Sequence, residues 1–127
     1  MFPKPSKGSA RAEKLALRAQ IERLEARAKL SAKVRDGYQC RVPGCTTDTK
    51  VWRLESAHLV DKGMGGDHGT HSHQRSDYVS CCLHHHQGRR SLHSGDLRAI
   101  PLTTDGGDGP VQWSELRESG WTILGVS

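Results

Sequence analysis

Glu55–His93 reads ESAHLVDKGMGGDHGTHSHQRSDYVSCCLHHHQGRRSLH, and it gathers all eight histidines and two of the four cysteines into less than a third of the chain. Imidazole and thiolate are the side chains that hold transition-metal ions, and imidazole moves protons near neutral pH. Just upstream lie the other two cysteines, Cys40 and Cys45. Two sets separate. Cys40, Cys45, Cys82 and His85 suit a structural metal, while His58, Asp77 and His86 remain for a second ion and a reaction.

The 127 residues are about a third apolar, enough for one modest core, and cores of that size commonly need a disulfide, a metal or a partner as reinforcement. The opening MFPKPSKGSARAEK has no apolar signal region. No run approaches the ~18 apolar residues of a membrane span, so the sequence predicts an intracellular protein with no membrane partner. In a reducing compartment, four cysteines interleaved with histidines favour metal over disulfides. The net charge of +5 is unevenly spread: residues 1–36 hold ten Lys/Arg against four Asp/Glu, leaving nine against ten in the remainder. A basic arm on a near-neutral body suits a polyanion, although a charged helix face is often only solvated.

Taken in order, residues 1–8 (MFPKPSKG) have the composition of a flexible lead-in. Residues 9–35 contain neither Gly nor Pro and are rich in Ala, Leu, Arg, Glu and Lys, which predicts a long basic helix capped by Ser9. Leu17, Ile21, Leu24 and Ala28 form a narrow apolar stripe along it. The simplest reading is a helix docked on its own domain; a dimer seam with a self-partner, a handle for another protein, and a rod lying along DNA are the alternatives, in that order. Asp36-Gly37 ends the helix. Val51–Val60 reads as a strand with His58 at or near its end, Gly63–Gly69 as a loop, and Tyr78–Cys81 as a second apolar run that turns helical from Cys82 to Gln87-Gly88. Leu97–Leu102 is a candidate edge strand, since Pro101 is tolerated only at an edge or an end. Residues 103–127 read as a C-terminal tail, loop through TTDGGDGPVQW, with one short strand at Gly120–Val126 and Trp113 and Trp121 as packing residues. The fold class is α+β, with the main domain over residues 36–102.

A closed zinc site takes four tetrahedral N/S ligands, usually as two close pairs from separate segments. Cys40-x4-Cys45, bent by Pro43-Gly44, and Cys82-x-x-His85, three apart on a helix start, supply those pairs. The adjacent Cys81 stands as the alternative to Cys82.

The order Cys40-x4-Cys45, then Ala57-His58-Leu59-Val60, then Asp77-Tyr78-Val79-Ser80-Cys81-Cys82-x-x-His85-His86 resembles the HNH endonucleases of the ββα-metal (His-Me finger) superfamily, in the zinc-bearing form common in phage proteins. The resemblance covers residues 36–102. It implies a small ββα-metal domain stapled by Zn2+, with His58 as general base at the end of the first strand, Asp77 where asparagine is usual, and His86 as ligand of a catalytic divalent ion such as Mg2+ or Mn2+. His93 is a further candidate ligand. Arg89 and Arg90 are candidate phosphate contacts, with a pair of solvated arginines the equal alternative. The implied activity is hydrolysis of phosphodiester bonds in double-stranded DNA within the bacterial cytoplasm, and phage proteins of this kind further imply partners in the packaging machinery.

Such chemistry explains the residue types. Attack on phosphorus needs a base that takes a proton from water, which neutral imidazole does near pH 7. The crowded negative charge and the leaving oxygen need a cation, and imidazole ligands favour Mn2+, Ni2+ or Co2+ over Mg2+. Two positions depart from the family pattern: Ala57 stands where a metal-ligating Asp, Glu or His is common, leaving Asp61, Asp77 or His93 to compensate, and Asp77 replaces asparagine. A noncatalytic zinc-knuckle protein that binds DNA, or an adaptor that recruits a partner through its helix, is the alternative function.

Overall fold

The structure, a computed structural model, describes residues 7–59 and 74–127. Residues 1–6 of the expected lead-in at 1–8, the end of the first strand at Val60, the loop Gly63–Gly69, Asp61 and the histidines His68, His71 and His73 lie outside the described residues, and the last two residues of that lead-in belong to the helix. The architecture is α+β: one long helix, a two-stranded sheet with a short helix after it, and a three-stranded sheet. No helix among the described residues is long and apolar enough to cross a membrane.

High helix propensity carries α1 from Lys7 to Arg35, a start two residues ahead of the expected Ser9 cap, within the ordinary scatter of helix ends. Its end is a Schellman turn. The Tyr38 amide donates to the Lys33 carbonyl at 2.9 Å and the Gly37 amide to Val34 at 3.1 Å, with Gly37 at φ +64°, the left-handed conformation that only glycine takes without strain. The next residue, Tyr38, is also left-handed at φ +58°.

Among the described residues, only the C-terminal part of α1 is docked. Ala28 and Ala32 are buried against Tyr78, the small side chains letting the helix backbone approach the sheet. Ser56 Oγ donates to the Lys29 carbonyl at 2.9 Å. Of the predicted stripe, Ala28 is buried, Ile21 and Leu24 are half-buried, and Leu17 is 58% exposed. Residues 8–20 are exposed throughout.

Strand β1 (Leu54–His58) pairs antiparallel with β2 (Tyr78–Cys82), Glu55 opposite Cys81 and His58 opposite Tyr78. All five residues of β2 are buried because both faces are covered. Tyr78 meets α1, while Val79 and Cys81 enter a core with Val42, Ala57, Leu97, Val111 and Trp113. A strand buried on both sides has no alternating signature, which is why only an apolar run shows in the sequence. The five-residue helix α2 (Leu83–Gln87) follows directly.

The reading of residues 103–127 as a tail is corrected by the structure. β3 (Leu97–Pro101), β4 (Val111–Arg117) and β5 (Gly120–Val126) form an antiparallel meander with β4 in the middle. Pro101 closes an edge strand, where its missing donor costs no ladder bond. The VQW that composition assigned to loop opens β4, and Trp113 is wholly buried with its indole N–H donating to Ser127 Oγ at 2.8 Å. Glycines and aspartates ahead of it masked the strand start.

Polar ties fix the helix to the sheets. Arg35 chelates Asp36 with two bonds of 2.8 Å and donates to the Tyr78 carbonyl at 2.7 Å and to Asp108 at 3.0 Å. Asp36 accepts the Ser80 amide at 3.0 Å. Arg41 donates to the carbonyls of Gly107, Gly109 and Ser127, holding the first cysteine segment against the C-terminal sheet.

Candidate metal centre

Val42-Pro43-Gly44-Cys45 closes a type II turn, the Cys45 amide donating to Val42 at 3.1 Å with Gly44 at φ +77°. That turn gathers Cys40 and Cys45 on one side. Cys82 ends β2 and serves as the N-cap of α2, which puts His85 one turn further on the same face. The ligand atoms of Cys40, Cys45, Cys82 and His85 all lie within 4.8 Å of one another. His85 Nδ1 is 3.1 Å from Cys82 Sγ and 3.6 Å from Cys40 Sγ, and the sulfurs of Cys45 and Cys82 are 3.9 Å apart. Zinc bonds of about 2.3 Å to sulfur and 2.0 Å to nitrogen, at tetrahedral angles, space neighbouring ligands by roughly 3.5–3.8 Å. Three thiols and an imidazole at this spacing are a donor set compatible with structural zinc, which would clamp the segment before β1 to the end of β2.

Strand alternation decides between the two adjacent cysteines. Cys82 joins the cluster, whereas Cys81 points to the opposite face of β2 and is fully buried in the apolar core. Cys81 still touches the site: its hydrogen bond to Cys40 lowers the Cys40 thiol, and that bond together with burial holds the Cys81 thiol well above the usual range. Outer hydrogen bonds of this kind orient metal ligands.

The three consecutive histidines of α2 project about 100° apart around the helix. His85 turns to the sulfurs. His84 is exposed, edge-on to Trp52 with ring centroids 5.0 Å apart. His86 reaches β1, its Nδ1 3.1 Å from Glu55 Oε1. Glu55 also accepts from Gln87 Nε2 at 2.9 Å and is paired with Arg53 at 3.3 Å. The ring of His93 stands edge-on to His86 at 4.4 Å. A turn brings His93 there: α2 stops at Gln87, and the chain turns back, the amides of Leu92 and His93 donating to the carbonyls of His85 and His86 at 2.9 and 3.1 Å.

His58 is the last residue of β1, its ring 4.6 Å from that of Tyr78. By alternation it lies on the face toward α1, together with Ser56, while Glu55 and Ala57 lie on the other face. Glu55 and His58 are three steps apart along the strand, roughly 10 Å. The two imidazoles therefore do not face each other across the sheet, and a common phosphate would have to sit around the end of β1. Asp77 pins this end: its carbonyl accepts the Leu59 amide at 2.9 Å, and its carboxylate accepts the Gln74 amide at 3.1 Å in a reciprocal cap. Its carboxylate is thus engaged in holding the loop end. Arg89 and Arg90 are exposed, and Arg90 pairs with Glu115 at 3.5 Å.

No family model, curated protein or solved structure matches the chain.

Sequence reasoning missed Glu55. Its signal was present, because a carboxylate shares a strand face with the apolar Ala57, and a charge at an inward position needs a partner. That partner was invisible without α2 in place.

Proposed function

We propose that this protein is a metal-dependent nuclease of the HNH, ββα-metal kind, hydrolysing phosphodiester bonds of double-stranded DNA. The observation that carries the reading is the grouping of His86 and His93 beside the zinc-compatible cluster, on a β1–β2–α2 unit whose first strand ends in His58. In this reading zinc on Cys40, Cys45, Cys82 and His85 holds the fold. His86, with His93 beside it, holds a second divalent ion, whose role when bound is to offset charge on the phosphate and the leaving oxygen. His58 takes the proton from the attacking water. Asp77 keeps the loop end closed so that His58 is presented at the strand terminus, the holding role that the family gives to asparagine. The exposed N-terminal part of α1, with Arg11, Lys14 and Arg18, supplies positive charge for the DNA backbone.

Two observations favour a second reading. His58 packs on Tyr78 on the face away from His86, and Ala57 offers no donor between them. A zinc-stapled DNA-binding protein without catalysis accommodates both facts. Supercoiled plasmid incubated with the zinc-loaded protein and Mg2+ or Mn2+ separates the two. The nuclease reading expects relaxed or linear product, lost in His58→Ala and in His86→Ala while each variant keeps one zinc. Binding without scission under every divalent ion would establish the second reading instead.

A further inference from the structure

We propose that Glu55 is the positioning residue for the second metal ion, fixing the tautomer and direction of His86. The inference rests on the reading of His86 as a metal ligand and deepens it. An ionised carboxylate can only accept hydrogen bonds, so the 3.1 Å contact between Glu55 Oε1 and His86 Nδ1 assigns the ring proton to Nδ1. The lone pair is then on Nε2, the nitrogen on the far side of the ring and available for a cation. Glu55 itself is well held. It is the second residue of β1, opposite Cys81, with its side chain 10% exposed, and it takes a second bond from Gln87 Nε2 at 2.9 Å and a charge contact from Arg53 at 3.3 Å. Those neighbours leave the carboxylate little freedom to rotate away.

The arrangement also bears on the donor missing at Ala57. Ala57 lies two residues along the same face of β1 and has no ligand atom, so from the described part of this unit the ion would have only the imidazoles of His86 and His93. A metal held by few protein ligands gains most from having each aimed in advance. A carboxylate behind an imidazole raises its basicity and removes the cost of turning the ring, and losing such a partner typically weakens metal binding about 10- to 100-fold.

The test uses the zinc-loaded full chain and Mn2+ alone, measured by titration calorimetry or by the electron-spin signal of free Mn2+. Glu55→Ala should bind Mn2+ about 10- to 100-fold more weakly, with zinc stoichiometry unchanged. Glu55→Gln, which keeps an acceptor but loses the charge, should lose roughly 5-fold. Nitrogen-15 correlation spectra without Mn2+ should show His86 protonated at Nδ1 in the wild type and shifted toward the Nε2-protonated tautomer in Glu55→Ala; a purely structural role for Glu55 would not move that signal. Should Glu55→Ala lose zinc and unfold, Glu55→Gln decides by the same two readouts. Wild-type Mn2+ affinity in the folded variants, or an Nε2-protonated His86 in the wild type, overturns the proposal. If His86→Ala loses Mn2+ binding while the Glu55 variants keep it, the positioning role alone fails; if His86→Ala keeps it, the metal-ligand reading fails.

Discussion

Replacing Cys82 by serine should cost the protein its zinc and its fold, whereas the same change one residue earlier should leave both. The contrast follows from β2. Cys82 Sγ lies 3.1 Å from His85 Nδ1 and 3.9 Å from Cys45 Sγ, so its loss opens a tetrahedral set that closes nowhere else among the described residues. Structural zinc contributes on the order of 10 kcal/mol or more to folding in small metal-dependent peptides, against a total stability of about 5–15 kcal/mol for a whole domain. Among the described residues the main apolar core is seven buried side chains, one an alanine and one a cysteine, too little to replace that contribution. Cys81→Ser instead places a hydroxyl in the core, where an ill-paired polar group costs about 1–3 kcal/mol, and removes a hydrogen bond to Cys40 without removing a ligand. Elemental analysis combined with thermal unfolding, with and without excess chelator, reads both effects. The expected pattern is one zinc in wild type and Cys81→Ser, none in Cys82→Ser, and a chelated wild type that unfolds like Cys82→Ser. Zinc retained by Cys82→Ser and lost by Cys81→Ser would reverse the ligand assignment, and a chelator-insensitive wild type would refute the structural role of the metal.

Two further outcomes follow from α1 and from the tyrosine beneath it. Deleting residues 1–20 should leave zinc content and unfolding temperature near wild type, because the docked Ala28 and Ala32 remain. The deletion should weaken DNA binding and flatten its dependence on salt, by up to about 0.9 in log–log slope for each phosphate that is no longer neutralised; an unchanged slope would mean that the exposed basic segment does not touch DNA. Burial, then the nearby Glu25 and Asp77, raises Tyr78 from 10.0 to about 12. A raised phenol contributes stability that is whole below pH 10 and is lost as pH climbs toward 12, on the order of 2 kcal/mol. Wild type should therefore lose more stability to denaturant between pH 9 and pH 11 than Tyr78→Phe does; equal losses would contradict the shift.

How far the sequence carries differs from residue to residue. The helix from Ser9 to Arg35 was plain because propensity is local and nothing interrupts it, and Asp36-Gly37 marked its end for an equally local reason, the left-handed turn at Gly37. The four zinc-type ligands were legible as two short-range pairs, each presented together by its own turn. β4 was harder: the glycines and aspartates before Val111 read as loop, and only pairing with β3 and β5 makes the segment a central strand.

Propensity, turn chemistry and ligand spacing, all properties of a few neighbouring residues, were determined by the chain itself: a long basic helix, a Pro-Gly bend between two cysteines, and a histidine-rich turn after a short strand. The choice of Cys82 over Cys81, the depth to which α1 docks, the engagement of Asp77 in a loop cap, and the meeting of Glu55 with His86 were decided by tertiary structure. Each depends on which face of β1 or β2 a side chain occupies and on what another segment brings to that face, and contacts between residues 31 apart in the chain, such as the 3.1 Å bond from His86 to Glu55, exist only once the sheets and helices have packed.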